Sequence, residues 1–283
     1  MGIVETLSKM STANKMNAFA LILIVATAYP LWVTLSIPLT ITAITRGFYD
    51  AIDQVPEGGV VVMGFMVNKF EQYKGKEDVC AAIWRSLHQR KLKVVNLSVG
   101  PVAQIFFEDI YKRNKLVERY GLKYGEDYII TPYIAGEETA LAAFAKDTWS
   151  ACSTDLYGTP ISSLPLMQRV RSFNDVALGW MACYSASNND QFIRQWGWAY
   201  NKPLIMSFQG FGAVAYAYPF PMKGVLDGIR GEAELEFLTG FGGAQLAQLQ
   251  SQSLFGLVYL VLLAGGFVGY NLIRTRKIEV TKE

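Results

Sequence analysis

The chain has little charge and no excess of either sign. Of its 283 residues, 18% are charged and 51% are hydrophobic, and 26 basic against 24 acidic side chains leave a formal net charge of +2. No general basic excess is present to neutralise phosphates, so the composition predicts no nucleic-acid partner. The apolar content also excludes a disordered chain. A membrane protein or an unusually apolar globular protein remains.

Histidine is nearly absent. The one histidine, His88, falls late in a predicted helix and far from any predicted strand end, which argues against a Ser-His or Cys-His nucleophile pair. One histidine and a few scattered cysteines supply too few ligands for a zinc or haem site. The sequence therefore predicts no metal, no cofactor and no catalytic residue of these kinds.

Cysteine is scarce and unevenly spaced. An odd count of three, Cys80, Cys152 and Cys183, does not form a disulfide framework. A Cys152–Cys183 bridge and three small buried thiols both remain open. A formal glycosylation sequon begins at Asn96, but it falls in an apolar strand pattern that leaves no room for a glycan.

Glycine-rich phosphate loops are missing as well. The turn that begins at Gly64 reads GFMVNK and lacks both the G-x-G-x-x-G pattern and a G-K-[ST] ending. The G-x-G at Gly210 and Gly212 stands alone, and a turn explains it. The sequence thus gives no support for a phosphate-binding loop.

What the chain does have is two long uncharged apolar segments. We predict a first transmembrane helix over 17–44, with a kink near Pro30 or an end near Pro38, and a second over 253–273. Basic residues follow the second segment at once. A cleaved signal peptide ending at Ala28 is the alternative for the first segment, but apolar sequence continues well beyond that position.

The basic residues near these segments predict the orientation. Six flank the outer ends of the spans, against one, Arg46, on the inner side; the six are Lys9, Lys15, Arg274, Arg276, Lys277 and Lys282. Residues 1–16 and 274–283 are therefore predicted to be cytosolic, and the central domain, 48–240, periplasmic or extracellular. A membrane-proximal helical segment, 241–252, joins that domain to the second span. ATP and nicotinamide cofactors are scarce in most such compartments.

The central domain alternates apolar runs with helical patterns. The runs cover 60–66, 93–99, 127–134, 176–183 and 203–208, and they are apolar on both faces, as buried parallel strands are. We predict an α/β fold with a doubly wound, mostly parallel sheet of about five strands and helices on both faces. A helix is predicted over about 222–238, and the long segment 147–174 is predicted to pack down on the domain.

A binding crevice is expected at the carboxyl ends of these strands, where doubly wound sheets bind ligands. The residues predicted to line it are Asn68, Ser98, Gly100, Gly136, Glu137, Tyr184, Ser185, Gln209 and Gly210. They form no recognised catalytic set. Glu137 and Glu138 point to different helix faces and are interpreted as capping residues rather than as a catalytic pair.

A second candidate surface lies at the entry to the second span. Gln245, Gln248 and Gln252 recur at helical spacing, and Gly265 and Gly269 form a G-x-x-x-G pair that allows close helix packing. The expected partners are the lipid bilayer, a second copy of the chain or other membrane subunits. Glycines that are merely tolerated in a membrane helix remain the other interpretation of the pair.

Three functions remain open. The first is an anchored extracytoplasmic α/β domain that serves as a structural or assembly subunit, a scaffold, of an oligomeric membrane complex. The second is a tethered domain that binds or senses a small ligand in the crevice, with 147–174 as a lid. The third is a membrane-bound hydrolase or transferase that uses acids such as Asp155 or Asp175. Fold alone does not decide among them.

Overall fold

The structure is a computed structural model that describes residues 10–33, 35, 39–70, 75–183, 186–209 and 220–280. The side chains of residues 186, 208, 209 and 269–280 lie outside this description. The chain divides into two compact units. One comprises residues 1–38 and 247–283, and the other is the α/β domain over 39–246.

The α/β domain contains a six-stranded, all-parallel sheet in the order β3-β2-β1-β4-β5-β6. The strands are β1 (Val60–Met66), β2 (Lys93–Ser98), β3 (Tyr128–Ile130), β4 (Leu178–Cys183), β5 (Leu204–Gln209) and β6 (Met222–Asp227). The predicted α/β fold is therefore confirmed, and five of the strands lie within the predicted apolar runs or within one residue of them. The direction of winding reverses between β1 and β4.

Successive strand residues point into two separate cores because side chains alternate across a sheet. On β1, Val61, Met63 and Phe65 face one core, whereas Val60 and Val62 face the other. Every residue of β1 is buried. Burial on both faces explains why these strands appear in the sequence as continuous apolar runs.

Helices cover both faces of the sheet. The helices of the described chain are α1 (Thr12–Trp32), α2 (Ala43–Asp53), α3 (Glu77–Gln89), α4 (Ala103–Arg113), α5 (Leu116–Tyr120), α6 (Glu138–Lys146), α7 (Thr148–Ala151), α8 (Pro165–Gln168), α9 (Ala186–Phe192), α10 (Gly228–Thr239) and α11 (Ala244–Val280). A π-helical turn, Ile193–Trp198, continues α9. Short 3-10 turns occupy Ile161–Ser163 and Phe173–Asp175.

The prediction of one helix over 222–238 was wrong in its first third. Residues 222–227 form the edge strand β6, and the helix α10 begins only at Gly228. The backbone of α2 crosses β6 so closely that a Cβ on Gly224 would collide with the backbone of Phe48. Exposed Lys223 and the glycine after it interrupt the apolar run that would indicate a strand. The strand packs against α2, a helix that lies far away in the sequence.

The long segment 147–174 packs down on the domain as predicted. Ile161, Leu164, Leu166 and Phe173 are buried in the core that also contains α6. The Asp147 carboxylate accepts hydrogen bonds from the backbone of α7 and so fixes the start of the segment. The segment is therefore an ordered part of the core and owes little of its order to solvent-exposed contacts.

The smaller unit contains the two helices that are long and apolar enough to span a membrane. The qualifying segments are Thr12–Trp32 and Ala244–Val268, and only 11% and 6% of the 18-residue apolar window in each are buried. Large side chains such as Trp32, Leu260 and Phe267 are exposed. A core helix of a soluble protein would bury such side chains, so this surface is suited to lipid or to a protein partner.

Within this unit the two helices meet along one seam. Gln250 reaches the chain just after α1, where its Nε2 donates to the carbonyl of Leu35 at 2.7 Å and its Oε1 accepts from the Leu35 N–H at 3.0 Å. The Ser251 hydroxyl donates to the carbonyl of Thr27 at 2.6 Å. Ala26 and Pro30 are the buried residues of α1. Polar side chains thus satisfy backbone groups between two otherwise apolar helices.

Candidate functional site

The predicted crevice lies where the strand order reverses, outside the carboxyl ends of β1 and β4. Asn68 follows β1 and is exposed at this edge. Gln209 ends β5, and its side chain lies outside the described part of the chain. Tyr184, Ser185 and Gly210 also lie outside the described residues. The crevice itself stays a prediction, and the structure places Asn68 and the end of β5 at this edge of the sheet.

Two of the predicted crevice residues connect the strand ends to one another. The Ser98 hydroxyl donates to the Thr131 carbonyl at 3.0 Å, and the Ser98 N–H donates to the Thr131 hydroxyl at 2.9 Å. Gly100 lies so close to Val67 that a Cβ would collide with the Val67 backbone. Both residues have a structural role that ties β1, β2 and the chain after β3 together.

The acidic turn after β3 is an ion-pair junction. Gly136 and Glu137 have positive φ angles of 118° and 45° and turn the chain into α6. The Glu138 carboxylate accepts hydrogen bonds from Arg194 at 3.0 and 3.1 Å and from Gln195 at 2.9 Å. These hydrogen bonds lower the pKa of Glu138. The turn thus joins the chain after β3 to the π-helical turn after β4.

The π-helical turn itself packs tightly on the sheet. Trp196 stacks on Phe173 with ring centroids 4.5 Å apart, and its Nε1 donates to the Leu141 carbonyl at 3.3 Å. A Cβ on Gly64 would lie 2.7 Å from the Trp196 ring. Short π-helical turns are frequent at functional sites, but here large rings fill the space beside β1.

A polar cluster is buried under the opposite face of the sheet. The Trp84 indole donates to Asn96 Oδ1 at 3.1 Å, Asn96 Nδ2 donates to the carbonyl of Ile129 at 2.8 Å, and His88 Nε2 lies 2.9 Å from the Tyr111 hydroxyl. Burial lowers the pKa of His88 to about 4. Asn96 is buried within β2, which agrees with the discounted sequon.

All three cysteines are buried, and no disulfide joins them. The Cys183 thiol, at the end of β4, donates to Asn189 Oδ1 at 2.6 Å, and Cys152 donates to the carbonyl of Thr154 at 3.0 Å. Burial raises the pKa of Cys152 to about 11. The structure therefore has three separate buried thiols and no Cys152–Cys183 disulfide.

Sequence reasoning missed a row of buried glutamates on α10. Glu232, Glu234 and Glu236 are at most 3% exposed, although they alternate along a helix that was expected to be unremarkable. Glu232 pairs with Lys76. Burial raises the pKa of Glu232, and the charge of Lys76 opposes that shift. Buried carboxylates need partners, and each of the three has found at least one.

Two of these glutamates hold the polypeptide at the two ends of the domain. Glu234 accepts from the Thr42 hydroxyl at 2.7 Å and from the Thr42 N–H at 2.9 Å, just before α2 begins. Glu236 accepts from the Leu246 N–H at 2.9 Å, in the first turn of α11. Burial would raise the pKa of Glu234, but hydrogen bonds from Thr42 and its neighbours lower it on balance. Helix α10 therefore fixes both chain ends of the domain.

The residues predicted for helix–helix contact do not share one face of α11. Gln245 is buried and donates to the carbonyl of Gly75 within the domain. Gln248 and Gln252 are exposed, and at about 100° per residue they lie on the side opposite Gln250 and the seam. Gly265 has open space around it. Around the helix axis it lies about 60° from Gln250, and so closer to the seam than to the exposed glutamines. Gly269 stands in the same helix.

No group of three His, Cys, Asp or Glu side chains that could hold a metal ion occurs among the described residues. No protein-family model, curated protein or solved structure matches the chain. Inferences about function must therefore come from the residues and contacts themselves.

Proposed function

We propose that the chain is a two-span membrane protein whose α/β domain is a structural or assembly subunit of an oligomeric membrane complex. Residues 1–16 and 274–283 face the cytosol in this proposal, and the domain lies in the periplasm or outside the cell. The basic residues at the chain ends support the orientation.

The observation that carries the assembly proposal is the outer face of α11. Gln248 and Gln252 are exposed there. The neighbouring Gln250 already bonds to the backbone of Leu35, just after α1. Phe255 and Tyr259 continue the same face and stack with ring centroids 6.0 Å apart. Amide side chains at the end of an apolar helix favour contact with another helix, because lipid offers them no hydrogen bonds.

The carboxyl edge of the sheet supports the same preference. Ser98 and Gly100 are used in holding strand ends together, and Glu138 is used in the pair with Arg194. These contacts give the three residues a structural role, which supports the proposal of a structural subunit. A scaffold that offers a rigid domain and a helix face therefore agrees with what the described residues do.

The assembly proposal is tested by the mass of the detergent-solubilised full chain in native mass spectrometry. The wild type is expected to be oligomeric, and the double variant Gln248→Leu/Gln252→Leu to dissociate. Each lost interhelical hydrogen bond costs about 1 kcal/mol, so the subunit dissociation constant rises roughly tenfold or more. Ser253→Ala is the matched control, since Ser253 bonds only to the Leu249 carbonyl of its own helix.

A strictly monomeric wild type overturns the proposal of a homo-oligomer, and an unchanged mass in the double variant overturns the role of this face. Gly265→Leu tests the side of α11 that contains the glycine. It adds a bulky side chain there and leaves both glutamines unchanged. Dissociation in that variant alone assigns assembly to the glycine face.

The orientation is tested separately by cysteine labelling in whole cells. The three native thiols are buried, so an impermeant maleimide has a low background on the folded chain. Arg119→Cys puts one exposed thiol on the domain, near Lys115. Labelling in intact cells supports the proposed side, and labelling only after lysis contradicts it.

A further inference from the structure

A cleft opens beside β3 that none of the predicted site residues lines. Its volume is about 250 Å³, and it lies between helices α4 and α5, strand β3 and the loop that contains Tyr157. The residues that line it are Glu108, Tyr111, Lys112, Val117, Glu118, Tyr128, Ile130 and Tyr157. Three of the eight are tyrosines and two are glutamates.

The tyrosines form one connected cluster. Tyr111 and Tyr128 stack with centroids 4.1 Å apart and planes 14° apart, and Tyr124 meets Tyr128 edge-on at 5.2 Å and Tyr157 edge-on at 5.0 Å. Tyr157 is 60% exposed at the mouth of the cleft. Ring faces carry negative electrostatic potential and attract cations within about 6 Å.

Two of the tyrosine hydroxyl groups that line the cleft, those of Tyr111 and Tyr157, already have partners. The Tyr111 hydroxyl lies 2.9 Å from His88 Nε2 and accepts from Asn96 Nδ2 at 3.4 Å, on the inner side of the ring. The Tyr157 hydroxyl donates to Glu108 Oε1 at 3.1 Å. The cleft therefore offers a ligand ring surfaces and carboxylate acceptors, and Lys112 is the one lining side chain that carries a positive charge.

We infer that this cleft binds a small alkylammonium ion. Glu108 and Glu118 supply negative charge at the mouth, and neither forms an ion pair with another described residue. An anion would meet two carboxylates and one lysine, and an uncharged apolar ligand would cost their desolvation without compensation. The volume lies just below the range of about 300–1,000 Å³ for drug-sized ligands, so the ligand is small. This site goes beyond the proposed assembly function.

The experiment titrates the full chain in detergent with choline chloride, using isothermal calorimetry and thermal unfolding. The uncharged tert-butyl analogue of choline is the matched probe of equal shape, and sodium chloride controls for ionic strength. Choline is expected to bind and to raise the unfolding temperature. Its analogue is expected to bind more weakly by between about twofold and thirtyfold, the range that cation–π attraction supplies.

Three variants assign the binding to the cleft. Tyr157→Leu removes a ring and Glu118→Gln removes a charge, and both are expected to weaken choline binding severalfold. Tyr157→Phe keeps the ring and is expected to retain most of the affinity. Glu126→Gln changes an exposed acid outside the cleft and is expected to have no effect.

Equal binding of choline and its uncharged analogue overturns the inference, and so does the absence of choline binding at millimolar concentration. Glu118 is exposed and its side chain forms no hydrogen bond or ion pair with another described residue, so Glu118→Gln is expected to fold normally. Unchanged affinity in that variant also overturns the inference. Native mass spectrometry of the same variants is expected to show the wild-type oligomer, so failure here is distinguishable from failure of the assembly proposal.

Discussion

Glu236 is expected to make the stability of the α/β domain depend on pH near neutrality. The side chain is 3% exposed, and burial, together with the negative charge of Asp78, raises its pKa to about 7. Backbone N–H groups at the start of α11, that of Leu246 among them, act in the opposite direction. Its Oε1 atom has no hydrogen-bond partner among the described residues. We predict that Glu236→Gln stabilises the protein above neutral pH.

The sign and size of this change in stability follow from the difference between the pKa of Glu236 in the folded state and its pKa in the unfolded state. The folded pKa of Glu236 lies above its unfolded value of 4.5, so its stabilising contribution is complete below that value and is lost as the pH rises to about 7. Each pKa unit corresponds to about 1.4 kcal/mol, which gives a loss of about 3 kcal/mol. Glutamine remains neutral and can still accept from the Leu246 N–H.

The measurement is thermal unfolding of the detergent-solubilised full chain near pH 5 and pH 8, for wild type and variant. At about 2–4 °C per kcal/mol for a domain of this size, the variant is expected to unfold roughly 6–12 °C higher at the upper pH and much closer to wild type at the lower. Other titrating groups occur in both proteins and cancel in the difference.

Glu126→Gln is the matched control, because Glu126 is exposed and pairs only with exposed Lys123. Its pH dependence is expected to match that of wild type, since exposed pairs contribute little. If Glu236→Gln is less stable than wild type at the upper pH, or has the same pH dependence, the reasoning about this buried carboxylate is wrong.

Three further predictions concern the core and the helix pair. Burial lowers the pKa of His88 to about 4, so stability is expected to fall as the pH drops from about 6.5 to 4, and His88→Phe to lose that slope in pH-dependent melting curves. Gly224→Ala is expected to lower the unfolding midpoint by an amount worth about 1–3 kcal/mol, because the new Cβ meets the backbone of Phe48; an unchanged midpoint would refute the close crossing. Gln250→Leu is expected to destabilise the helix pair by about 1–2 kcal/mol, measured as a lower detergent unfolding midpoint, whereas Ser253→Ala, which removes a hydrogen bond within one helix, leaves that midpoint nearly unchanged.

Sequence patterns located most of the elements because the local signal was strong. Five of the strands are buried on both faces and therefore form unbroken apolar runs in the sequence. The sixth, β6, could not be found in this way, since exposed Lys223 and Gly224 interrupt the run and the segment becomes a strand by pairing with β5. The two membrane-length helices were likewise visible from their lack of charge.

Most residues of the candidate sites could not be predicted from local sequence patterns. The predicted contact through Gln245, Gln248 and Gln252 stays a prediction, and it did not include Gln250, the glutamine that joins the two apolar segments. The glutamates of α10 looked like ordinary helix residues, and a signal was available only in their alternation with apolar residues. Nothing in the spacing of Tyr111, Tyr128 and Tyr157 indicated that they line one cleft.

The sequence by itself determined which segments are long and apolar enough to span a membrane and where most of the strands and helices lie, with β6 the exception. Hydrophobic periodicity and composition are local properties, so the amino-acid sequence alone is enough to recognise them. Only the tertiary structure decided the strand order, the burial of three glutamates and the meeting of distant tyrosines. Those features depend on contacts between residues far apart in the chain, and no local pattern specifies which distant residues meet.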